Sequence, residues 1–148
     1  MTTPVWVRKE VVLASHEEML FEHGGTAGIG DEGLLDSALA RPENLFAYEK
    51  ANIFELAAAY SFGIAKNHAF VDGNKRSAFV TGYIFLGLNG FTLIAPEAEA
   101  TLQMLGLASG EVSEKEYAAW LKKNSVPSGI SGTEKATKAR RLSKKKPS

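Results

Sequence analysis

The run NKRSAFVTGYIFLGLNG, residues 74–90, decides the fold. Ala78, Phe79, Val80, Tyr83, Ile84, Phe85 and Leu86 make it apolar almost all round, so a helix over 74–89, ended by Gly90, belongs at the centre of a bundle. Upstream, Ile53, Leu56, Ala57, Tyr60 and Ile64 recur at helical spacing, which predicts a second long helix from Asn52 to Asn67. The nine residues between these helices, HAFVDGNKR from His68 to Arg76, concentrate polar groups where two core-forming elements meet.

Further out, the pattern remains helical. Pro96 can occupy the first turn of a helix reaching Ala108, and Ser113 with Glu116 has capping-box spacing that opens another over Glu114–Lys123. Toward the N-terminus, Val5 to Val12 reads as a short strand, and Ser15 with Glu18 opens a short helix that ends at Gly24-Gly25. A further helix is expected from Asp31 to Arg41, the residue before Pro42. The fold class is therefore all-α.

With 148 residues and 45% hydrophobic content, the chain suits one domain with a real core. The absence of cysteine excludes disulfides, thiolate metal sites and thiol nucleophiles, so any metal must be held by oxygen or imidazole. No apolar run reaches the ~18 residues that span a bilayer, and the first ten residues lack the features of a secretion signal, so a cytoplasmic protein is expected. The formal charge is zero but uneven: residues 1–124 hold ten Lys and Arg against sixteen Asp and Glu, and residues 125–148 hold seven against one. We therefore read a domain over 1–124 followed by a basic tail, 125–148, with no spaced apolar residues to offset its ordering entropy. A solvated tail is the plain reading, and weak contact with nucleic acid the alternative.

The loop carries the chemistry. Lys75 and Arg76 fall in the first turn of the central helix, where the backbone dipole is already positive and each costs up to about 1 kcal/mol. An anion nearby would offset this, and Gly73 lets the chain turn tightly enough to aim free N–H groups at a phosphate. Asp72 is either an ordinary helix cap or, beside a phosphate, a magnesium ligand. His68, four residues earlier, is either a structural histidine or a general base. Phe70 is expected to anchor the loop in the core, and Asn74 either orients a phosphate or satisfies the loop backbone.

HAFVDGNKR resembles the signature of the Fic/Doc family, His-x-Phe-x-(Asp/Glu/Asn)-(Gly/Ala)-Asn-(Gly/Lys)-Arg. GLLDSALARPENLFAYEK before the loop and Leu86-Gly-Leu-Asn-Gly90 after it look like the death-on-curing (Doc) branch, toxins of type II toxin–antitoxin systems. The resemblance implies a Fic-type helical bundle in which His68 activates a protein hydroxyl, Asp72 holds Mg2+, and Gly73, Asn74, Lys75 and Arg76 hold the phosphates of ATP. Adenylylating members usually have glycine where this chain has Lys75, and arginine where it has Phe79. Both departures imply the Doc reaction, transfer of the γ-phosphoryl group to a threonine of translation elongation factor Tu. Gly73, where some Doc proteins have alanine, and Ala69, where the Fic branch commonly has proline, are further departures; Gly73 keeps adenylylation open as an alternative. The family also implies a β flap at Asn44 to Lys50, which from the residues alone is equally a surface loop. The only Glu residues followed by Gly or Asn are Glu32 and Glu43, with Gly28 and Leu39 four residues before them, so no self-inhibitory helix of the family's Ser/Thr-x-x-x-Glu type is evident. A separate Phd-type antitoxin is the implied partner.

Two patterns are decoys. Gly28 to Gly33 spells GxGxxG but follows no apolar strand and contains two acids, so we do not read it as a nucleotide site. His16 and His23 lack a third metal ligand and are read as surface or core residues. Outside enzymology, the rival is an idle protein that binds RNA or a partner.

Overall fold

A computed structural model of the chain describes residues 3–128. Among them, six helices, α1 (Lys9–His23), α2 (Glu32–Glu49), α3 (Ile53–Asn67), α4 (Asn74–Leu88), α5 (Glu97–Ser109) and α6 (Glu114–Lys123), surround one core, with two short strands, β1 (Phe91–Leu93) and β2 (Ser125–Pro127). This is the expected all-α, Fic-type bundle.

The centre is a pair of helices. α4 buries Ala78, Val80, Phe85 and Leu86, while α3 buries an almost continuous run from Leu56 to Tyr60 and packs against α2, α4 and α6. The pair meets through small residues: a Cβ on Gly82 would lie 2.5 Å from Ser61 Oγ and 3.3 Å from the Ala57 carbonyl. Ser61 donates to the Ala78 carbonyl at 2.7 Å, so this close approach leaves its hydroxyl satisfied. Asn52 caps α3 in a reciprocal box with Glu55, and Ser113 does the same for α6 with Glu116.

The N-terminal half departs from expectation in four places. Val5 to Val12 forms no strand. Val5 to Val7 is extended but tied to side chains, with Asn89 bonding both backbone groups of Val5 and Tyr60 Oη accepting from Val7 N–H. α1 begins at Lys9, not at Ser15, because Val12, His16 and Met19 at helical spacing bury one face from the start. Third, α2 does not stop before Pro42 but runs through it to Glu49. Proline in a helix interior costs about 3 kcal/mol or more and leaves the carbonyl four residues back without its donor. That carbonyl belongs to Ala38 and faces Gly63 of α3, where a Cβ would sit 3.2 Å away. Burial of the Pro42 ring, and of Leu45 and Phe46 against the core beyond it, offsets the cost.

The fourth departure is the flap. Asn44 to Glu49 is the last part of α2, closed by Lys50 in the left-handed conformation, so the span holds no strand. The strands that do form lie elsewhere: β1 and β2 pair antiparallel, Phe91 opposite Pro127 and Leu93 opposite Ser125. Paired structure thus extends just past Asn124, and the remainder of the expected tail, from residue 129 on, lies outside the described residues. No helix among the described residues is long and apolar enough to cross a membrane.

Candidate active site

α3 ends at His68, whose φ of 53° and ψ of 45° close the helix in the left-handed region, and α4 begins at Gly73, also left-handed at φ 76°. The two reversals confine His68–Gly73 to a tight loop at the N-terminus of α4. Phe70 is 2% exposed and pins the loop to the core, as expected. Gly73 is required by its dihedral and by space, since a Cβ would lie 2.9 Å from Met19 Cε.

Asn74 closes the loop from within. Its Oδ1 accepts from Phe70 N–H at 2.9 Å, its Nδ2 donates to the Phe70 carbonyl at 2.9 Å, and Nδ2 lies 3.3 Å from His68 Nδ1. With 4% exposure and its amide engaged on both sides, Asn74 serves the loop backbone here, and the phosphate-orienting role expected for it is not what this arrangement displays. The Phe70 contacts fix which end of the amide is nitrogen, so His68 Nδ1 is an acceptor and the neutral ring carries its proton on Nε2.

Asp72 is not the helix cap considered above: the N-cap is Gly73, and no side chain caps α4. Its Oδ2 accepts from Thr26 N–H at 3.1 Å and its Oδ1 from Gly73 N–H at 2.8 Å. These bonds, Thr26 first, hold its carboxyl below the usual carboxylate range. It is therefore ionised at neutral pH and keeps lone pairs for a cation. No cluster of three or more metal-ligating acids or histidines forms among the described residues. A cation held here would take its remaining ligands from water or a bound anion.

The N–H groups of Asn74, Lys75 and Arg76 find no acceptor among the described residues, and Lys75 and Arg76 are exposed without an ion pair there. Uncapped amides and two cations thus share one helix start, the electrostatics of an anion site. They open on a cavity of about 750 Å3, within the ~300–1,000 Å3 typical of small-molecule sites. His68 and Asp72 line it together with the apolar side chains of Phe79, Val80, Leu93 and Met104. Burial pushes Tyr83, which also lines it, up to about 12, so it stays protonated and cannot act as a base near neutrality.

Sequence reasoning brought His68, Phe70, Asp72, Gly73, Lys75 and Arg76 together correctly in space but missed what holds them. His16 of α1 is 4% exposed, stacks on Phe70 with centroids 3.7 Å apart, and reaches the Asp72 carbonyl with Nε2 at 2.7 Å. Gly28 to Asp31, set aside as a nucleotide motif, forms a strap: Gly30 and Asp31 N–H donate to the Ala69 carbonyl, and Val71 N–H to that of Gly28. Partners 38 to 56 residues away leave no periodic signal. The α5 wall of the cavity was likewise unforeseen.

A family model described as the Fic/DOC family matches residues 6–86, more than half of the chain, including the whole loop. Over 118 residues the chain is 31% identical to "Protein kinase doc" of Escherichia phage P1, covering 79% of this chain and 93% of that protein. Over 76 residues it is 43% identical to "Toxin Doc" of Mycolicibacterium smegmatis, covering 49% of this chain and 57% of that one. Loop geometry, helical architecture and these matches agree, and the chain belongs to the Fic/Doc family.

Proposed function

We propose that this chain is a Doc-type toxin that transfers the γ-phosphoryl group of ATP to a protein hydroxyl, a threonine of translation elongation factor Tu, and so inhibits translation. The observation that carries this reading is the start of α4, where open amides and Lys75 and Arg76, without an ion pair among the described residues, adjoin an ionised carboxylate and an exposed imidazole. A triphosphate matches that charge, and magnesium is typically held by one or two carboxylates plus phosphate oxygens, the donor set that Asp72 and ATP would supply. Bound there, the ion would neutralise charge on the phosphates.

In the proposed reaction the acceptor oxygen attacks the γ-phosphorus, a new P–O bond forms, the bond to the β-phosphate bridging oxygen breaks, and ADP leaves. Lys75, Arg76 and the open amides stabilise the phosphate oxygens. His68 takes the hydroxyl proton on Nδ1, the nitrogen left unprotonated, in exchange for its long contact with Asn74. Phosphoryl rather than adenylyl transfer is supported by Lys75 and by Phe79, which lines the cavity wall where adenylylating relatives carry arginine, and by the relative named as a protein kinase. Gly73 favours adenylylation as the second reading. The named toxin relative supports a Phd-type antitoxin as partner.

Incubating the protein with elongation factor Tu, Mg2+ and ATP labelled at the α or γ phosphate tests the assignment. Label from γ alone supports the kinase. Label from α makes the chain an adenylyltransferase, and no label from either, with RNA bound by the domain, makes it a binding protein. Failure of an adjacent-gene product to form a complex on co-expression would count against the antitoxin.

A further inference from the structure

Three contacts on the loop come from α1. His16 stacks flat on Phe70, at 3.7 Å and 10°. Its Nε2 is 2.7 Å from the Asp72 carbonyl, so that nitrogen must carry the proton it donates. Met19, one turn on, fills the space beside Gly73, and His16 Nε2 lies 3.6 Å from where a Gly73 Cβ would be. A polar side chain 4% exposed and satisfied by one backbone oxygen of a reactive loop costs more to bury than an apolar residue there would.

We infer that His16 is a positioning residue for phosphoryl transfer: it fixes the Asp72 main chain, and through it the direction of the carboxylate and of the open amides that follow. This rests on the reading of the loop as a magnesium–ATP site. The strap bonds Ala69 and Val71, and Asn74 bonds Phe70, which leaves the Asp72 carbonyl to His16. The carboxylate is held by Thr26 and Gly73 N–H groups only if the peptide between Asp72 and Gly73 keeps this orientation. The ring stack sets the depth of the loop, and the hydrogen bond sets its twist.

The test uses the full chain with ATP and Mg2+. His16→Phe keeps a flat ring over Phe70 and removes the donor, whereas His16→Gln removes the ring and can retain a donor. Partners that orient metal ligands are typically worth about 10- to 100-fold in affinity or activity. For His16→Phe we expect the Mg2+ concentration for half-maximal ATP binding to rise, and kcat to fall, by about that factor. The acceptor KM should not change, and His16→Gln should recover part of the loss. Equal Mg2+ dependence in His16→Phe and the unaltered protein would overturn the inference, as would an activity loss that only tracks the unfolded fraction. Nitrogen-15 spectra of the unaltered protein decide the contact independently: a solvent-protected Nε2 proton coupled to the Asp72 carbonyl is expected, and a Nδ1-protonated or freely exchanging ring refutes it. If that resonance is present but no phosphoryl group moves, the functional reading fails and the loop contact stands.

Discussion

Replacing His68 with glycine should make the protein more stable and inactive. His68 closes α3 at φ 53°, where an L-residue bears a cost of about 1–2 kcal/mol that glycine escapes. Glycine gives back about 0.5–1 kcal/mol through the extra freedom of the unfolded chain. The side chain is exposed, and among the described residues it makes one hydrogen bond, a long one of 3.3 Å, so its deletion costs little. The net gain is about 0–1.5 kcal/mol, centred on about 0.7 kcal/mol, an upward shift of a few tenths molar in the urea midpoint with an unchanged slope. Loss of the base should meanwhile lower transfer by about 10²- to 10⁴-fold. An internal control exists, because Lys50 closes α2 with nearly the same dihedrals, φ 50° and ψ 43°, away from the loop. Lys50→Gly should give a similar gain with activity unchanged. If His68→Gly is destabilising while Lys50→Gly is not, His68 anchors the fold; if neither gains, the strain argument is wrong; if transfer persists, His68 is not the base.

Other outcomes follow from the same loop. Asn74→Ala strands the buried N–H and carbonyl of Phe70 and should cost at least about 2 kcal/mol in denaturant unfolding, whereas His68→Ala should leave circular dichroism normal while abolishing transfer. The Asp72 carboxyl is depressed in the native state, so its contribution is present above its ordinary value of 3.8 and is lost as pH falls through the lower native value; its carboxyl carbon should titrate below 3.8, and Asp72→Asn should flatten that part of the acid unfolding curve. The same Asp72→Asn change should weaken magnesium-dependent ATP binding in calorimetry. Lys75→Ala and Arg76→Ala should raise thermal stability slightly, by up to about 1 kcal/mol each, while weakening ATP binding; a loss of both together would mean the cations have a structural partner.

The second half of the fold could be read from the sequence because its signals are local. α3, α4 and α6 carry unbroken apolar spacing, and the Ser113–Glu116 box marks a helix start that nothing competes with. The first half carries the same symbols with other meanings. Ser15 and Glu18 have box spacing inside a helix already under way, and Pro42 sits mid-helix because Gly63, on another element, makes room for the carbonyl it orphans. β1 and β2 are too short to show alternation and exist through their pairing. In the site, charge at a helix start exposed Asp72, Lys75 and Arg76, since an unfavourable placement is visible in a string of letters. His16 was not visible: a buried histidine and a surface one look alike until the Phe70 ring is known to lie beneath it.

Asn89 holds Val5, and Ser128 N–H donates to the Gly90 carbonyl, so the described chain enters and leaves at the C-terminal end of α4. The loop occupies the opposite end of that 15-residue helix, roughly 22 Å away at 1.5 Å per residue. A fluorescent carrier joined ahead of Val5 would therefore hang at the end of the bundle away from that loop. Because Val5 and Ser128 are neighbours there, a brief linker joining the chain between these two residues should also permit circular permutation of the described domain, with new ends cut elsewhere on the surface.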